Sequence, residues 1–245
     1  MLKKIVFTGI ILTFMLSTHI AQSQEYQACN EDTARMCDLK GVPLNGKITE
    51  VYPSGSLMDE TNYKNGYLDG LWKSYHENGN LLSEGKFKSN KEVGLWKFYY
   101  ESAKLQSKSN YKNGQLDGAY IAYYENGNLH SEGNYEHDKK VGVWKFYYDN
   151  GNLLREGAYK NNRKDGLWKS YYDNGKISAE GNFINDKVDG WQKAYDKNGN
   201  LKSEILFENE IPVSGYLYDS SGQKKEMAKE DLRNPLKKIG NTKQK

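Results

Sequence analysis

Long apolar runs, aliphatic residues, proline and cysteine are all scarce in this chain. Only 37% of its 245 residues are hydrophobic, 27% are charged, and the mean hydropathy is −0.91. The one apolar run, Ile5 to Leu16, stands at the N-terminus, so a multi-span membrane protein is excluded. The thin aliphatic supply fits a conventional α/β enzyme poorly, and hydropathy alone leans toward disorder. No Walker loop, nucleophile elbow, HExxH pair or clustered Cys/His set occurs, and no cofactor or metal is implied. What is present opposes disorder: 24 Gly against 4 Pro, with 20 Tyr, 7 Phe and 5 Trp. Disordered chains are poor in aromatics, whereas half-exposed sheets accommodate them.

Lys3 and Lys4 precede the apolar run, and Ala21-Gln22-Ser23 follows it. A basic start, a short apolar stretch and small residues at the end describe a secretory signal peptide. The run is shorter than the about 20 residues a spanning helix needs. Cleavage is expected after Ser23, with Ala21 as the alternative, and the mature chain is expected in the periplasm, at the outer membrane or outside the cell. In such an oxidising compartment Cys29 and Cys37, the only two cysteines, are expected to close one disulfide within an N-terminal cap over 24–45.

The strongest signal is internal repetition. Gly46, Gly70, Gly94, Gly118, Gly142, Gly166 and Gly190 recur every 24 residues, and each is position 0 of a unit. Position 2 is mostly Trp (Trp72, Trp96, Trp144, Trp168), position 11 is Leu or Ile, and position 17 is always aromatic, from Tyr63 to Phe207. Position 5 carries a tyrosine row: Tyr75, Tyr99, Tyr123, Tyr147, Tyr171 and Tyr195.

Asn-Gly at positions 8 and 9, as in Asn78-Gly79 and Asn150-Gly151, suits a two-residue type I′ turn, whose central residues both need positive φ. Centring a hairpin there pairs position 6 with 11, 4 with 13 and 2 with 15 on one face, and 5 with 12 and 3 with 14 on the other. Each Trp then lies opposite a glycine of its own unit, which leaves room for an indole. Lys73 faces Glu84, Lys145 faces Glu156, Lys169 faces Glu180 and Lys193 faces Glu204. Asp69, Asp117, Asp165 and Asp189, just before the unit glycines, read as turn chemistry. The third unit departs from the pattern, with Ser102-Ala103 at the turn and Lys108 opposite Lys97; it is either a local irregularity or a partner site. Ile211-Pro212-Val213 is expected to end the array, followed by a truncated hairpin to Gly222 and a short helix over 224–233.

The pattern Gly-x-Trp-x-x-Tyr-Tyr-x-Asn-Gly-x-Leu-x-x-Glu-Gly-x-Tyr, fullest from Gly142 to Tyr159, resembles the MORN-repeat variant of many bacterial proteins. The resemblance covers about 46–213. It implies an all-β fold: an elongated, twisted, single-layer antiparallel sheet of stacked β-hairpins over 46–222, after a signal peptide (1–23) and before a short helical or disordered basic tail (223–245). Bacterial relatives are often labelled antitoxins of the YwqK type, and MORN proteins more broadly resemble scaffolds for proteins or membrane lipids. The resemblance carries no catalytic residues.

The tail from 224 holds eight basic against three acidic residues, so the body is mildly acidic and offers no stripe for nucleic acid. The expected function is that of an exported, non-enzymatic scaffold presenting its sheet to a protein partner at the cell envelope. The alternatives are a cell-wall glycan or anionic lipid as ligand, with the position 5 tyrosines stacking on sugars, and an immunity-type protein that neutralises a toxin.

Overall fold

 The main sheet has sixteen strands, and every spatial neighbour is also a neighbour in sequence.

The computed structural model describes residues 26–29 and 32–232. Residues 1–23, where a signal peptide is expected, and the tail beyond 232 lie outside the described residues. The sheet runs from Gly46–Val51 at one edge to Lys224–Glu226 at the other, and each strand pairs antiparallel with the next. At about 4.8 Å per strand it reaches roughly 70 Å.

Within a hairpin the expected register holds for positions 2 to 4: Trp72 pairs with Gly85, Lys73 with Glu84 and Ser74 with Ser83. Nearer the turn it does not. Tyr75 pairs with Leu81 instead of Leu82, and the His76 N–H donates to the Asn80 carbonyl. Gly79 alone takes a positive φ (84°), and its N–H returns to the His76 carbonyl. This is a three-residue loop with a G1 bulge, which needs one left-handed residue and so corrects the expected type I′ turn. The type I′ turns stand at the opposite ends of the strands, where both central residues have positive φ, as in Asn65-Gly66 and Asn113-Gly114.

The Asp-Gly pairs also differ from expectation. Asp69-Gly70 lies inside the continuous strand Tyr67–Tyr75, not in a turn. Between Thr61↔Trp72 and Tyr63↔Leu68 that strand carries two more residues than its neighbour, and Gly70, at φ 124°, sits in the resulting bulge. The third unit keeps the common turn, with Ala103 forced to φ 64°. A left-handed non-glycine residue costs about 1–2 kcal/mol. Ala103→Gly is therefore expected to stabilise the protein by about 1 kcal/mol, read from urea unfolding, after the greater freedom of glycine in the unfolded chain is counted.

Both ends of the array are closed. Tyr26–Cys29 and Asp32–Asp38 form a separate hairpin in which Cys29 and Cys37 are joined as a disulfide. It docks on the first type I′ turns: the Met36 N–H donates to the Gly66 carbonyl at 2.7 Å and Arg35 Nε to the Asn65 carbonyl at 2.9 Å. At the far end Pro212 does not break the array, because the strand Ile211–Tyr218 runs through it. The expected helix over 224–233 is instead a short strand, Lys224–Glu226, followed by one turn at Lys229–Leu232. Met227 and Leu232 pack there on Ile205, Phe207 and Leu217.

Candidate functional site

One face of the sheet carries the tryptophans. Trp96, Trp144 and Trp168 are 3%, 1% and 4% exposed, although the sheet is one layer thick. Each covers a glycine, but not the one the sequence suggests. A Cβ on Gly85 would overlap Trp96, one on Gly133 would overlap Trp144, and one on Gly157 would overlap Trp168. The indole thus lies over the glycine of the preceding unit, and units are locked to each other by this contact. The position 17 ring of the preceding unit meets the indole edge-on: Phe87 on Trp96 at 5.0 Å, Tyr135 on Trp144 at 5.1 Å, Tyr159 on Trp168 at 5.0 Å. Trp144 Nε1 donates to the Asn134 carbonyl at 3.1 Å and Trp168 Nε1 to the Ala158 carbonyl at 3.0 Å. Gln192 replaces the Trp of the seventh unit, covers Gly181 and donates to the equivalent Asn182 carbonyl at 2.9 Å.

The opposite face carries the position 5 tyrosines among lysines and glutamates. Their hydroxyls are engaged. Tyr99 donates to Glu84 at 2.9 Å, Tyr147 to Glu132 at 2.7 Å, Tyr171 to Glu156 at 2.8 Å and Tyr195 to Glu180 at 2.7 Å. Tyr218 donates to Glu204 at 2.6 Å, and burial, followed by the nearby Glu60 carboxylate, raises Tyr75. Every acceptor belongs to the preceding unit, so the row ties neighbours together. Partial burial, then the bond to a carboxylate, pushes Tyr171 and Tyr195 up to about 12 and raises Tyr147 as well. Lys97 Nζ reaches Glu84 at 2.9 Å and holds its carboxyl below the usual range.

Tyr123 is the exception. The residue that would accept its hydroxyl is Lys108, and the side chains of both are without a hydrogen-bond or ion-pair partner among the described residues. Lys108 also stands opposite Lys97. The anomaly visible in the sequence at the third unit therefore interrupts the ladder at one place.

A second ladder was not legible in the sequence. The position 6 hydroxyls donate to the position 5 carbonyl of the next unit: Tyr52 to Tyr75, Tyr100 to Tyr123, Tyr124 to Tyr147, Tyr148 to Tyr171 and Tyr172 to Tyr195, all at 2.7–2.8 Å. Its signal was the second Tyr of each Tyr-Tyr pair, which the expected register assigned to a Leu across the hairpin. Among the described residues no group of three His, Cys, Asp or Glu side chains could hold a metal ion.

No curated protein matches this chain. Among solved structures, the crystal structure of TcdB2-TccC3-TEV aligns at 13% identity with a TM-score of 0.20, over 73% of this chain and 13% of that one. TcdB2-TccC3-Cdc42 aligns at 13% identity with a TM-score of 0.16 and the same coverage. The MORN repeat variant family model matches residues 44–65, 68–89, 92–113, 116–137, 140–161, 164–185 and 189–209, and the chain belongs to that family.

Proposed function

We propose that this chain is an exported, non-enzymatic scaffold that holds a protein partner at the cell envelope on its tyrosine face. The observation that carries the reading is the break at Lys108 and Tyr123. In the units on either side the tyrosine hydroxyl is taken by a glutamate of the preceding unit; here a phenol without that acceptor stands beside an ammonium, a pairing suited to a carboxylate on a partner. Export is supported by Lys3, Lys4, the run Ile5 to Leu16 and the small residues before Gln24.

A photoreactive residue at position 123 is expected to give one discrete adduct in envelope fractions, and the same residue at position 195 none. Lys108→Glu supplies the missing acceptor, so it is expected to remove the adduct while stabilising the fold by about 0.5 kcal/mol. Equal adducts at 123 and 195, or an adduct indifferent to Lys108→Glu, would overturn the reading.

A further inference from the structure

The tryptophan face carries a cluster of positive charge that the repeat does not require. Two residues before the unit glycine, four units have Leu44, Leu68, Leu116 and Val188 and the third has Glu92, but the fifth and sixth have Lys140 and Lys164. At position 13, where Ser83, Ser107, Ser131 and Ser203 are buried, the fifth unit has Arg155. The Lys140 ammonium lies 4.5 Å from the Trp144 ring centre, Lys164 lies 4.7 Å from Trp168, and the Arg155 guanidinium lies 4.5 Å from Phe146.

None of the three makes an ion pair among the described residues, where the pairs are Lys47–Glu60, Lys97–Glu84 and Lys187–Glu210. One carboxylate stands near: Asp186, whose Oδ1 accepts the Lys164 backbone N–H at 2.7 Å. Burial, and then the charge of Arg155, lowers both lysines, so holding them charged together is unfavourable. Contact with the rings offsets only part of that cost, and a leucine would pack there without carrying a charge.

We propose that Lys140, Arg155 and Lys164 form a binding site for a phosphate group, free or carried on a larger molecule. The guanidinium offers a fork that matches two phosphate oxygens, and the two ammonium groups supply point charges on either side. The aromatic floor limits water on one side, which strengthens the attraction. The site lies on the face opposite Lys108 and Tyr123, so it is independent of the partner surface.

The test uses residues that other units already carry at these positions. The full chain and a Lys140→Leu, Arg155→Ser, Lys164→Leu variant are titrated with inorganic pyrophosphate by calorimetry. Both are also sedimented with phosphatidylcholine vesicles containing phosphatidylglycerol. The wild-type chain is expected to bind one pyrophosphate, and the variant at least about ten-fold more weakly with its circular dichroism unchanged. Vesicle binding lost in the variant supports the site and assigns the phosphate to a lipid headgroup; pyrophosphate binding alone supports it and assigns a soluble or polymer-borne source. Absence of binding to either probe, or equal binding by a folded variant, would overturn the proposal.

Discussion

Replacing Trp144 with alanine is expected to cost about 3–5 kcal/mol, read as a lower urea midpoint. This indole is 1% exposed, lies over Gly133, meets Tyr135 edge-on and stacks on Tyr120 and Phe146 at 5.7 and 6.0 Å. Its loss removes a contact between units four and five. In a linear array each unit touches only its neighbours, so the halves are also expected to unfold less cooperatively and to lower the urea dependence. Gly133→Ala tests the same contact from below. Gly133 is not among the positive-φ glycines, so alanine is conformationally acceptable there and the cost, about 1–3 kcal/mol, comes from overlap with the ring. In the double variant the methyl group occupies part of the space that the indole leaves. The two costs are therefore expected to sum to more than the double variant loses. Strict additivity would mean that the indole does not rest on Gly133.

The same pair shows what a sequence discloses and what it does not. Trp at position 2 and Gly at position 15 announce an indole on bare backbone, and the antiparallel register between them is correct. Which unit supplies the indole depends on side-chain tilt across the bulge between hairpins, and no periodicity encodes that. The turns failed for a related reason. Asn-Gly satisfies two turn geometries that differ by one residue, and only the strand pairing decides between them. Asn78 keeps a negative φ and uses its side chain on the Asn80 N–H at 2.9 Å and the Glu101 carbonyl at 3.1 Å of the next unit. The tyrosine row was legible as a row; its hydroxyl acceptors, fifteen residues earlier, were not, because they lie across the boundary between units. Lys108 was legible as an anomaly, and the structure adds that it frees Tyr123.

The tyrosines also set an alkaline limit on the fold. Tyr171 and Tyr195 are held near 12 by partial burial and then their bonds to glutamates, Tyr218 first by its bond to Glu204, and Tyr63 and Tyr135 are pushed to about 12 chiefly by burial. In the unfolded chain a phenol titrates near 10. A group whose folded pKa is raised contributes stability that is fully present below its unfolded value and lost as pH rises through its folded value. The urea midpoint is therefore expected to be level in this respect up to about pH 10 and to fall steeply toward about pH 12, with tyrosinate absorbance rising as the chain unfolds. Glu156→Gln separates this cause from lysine deprotonation. It keeps an acceptor for the Tyr171 hydroxyl at the same place but removes the negative charge that opposes ionisation. Because the fall starts at the unfolded-state value in either protein, the variant is expected to lose less of its urea midpoint between about pH 10 and pH 12. An unchanged loss would assign the alkaline limit to the lysines instead.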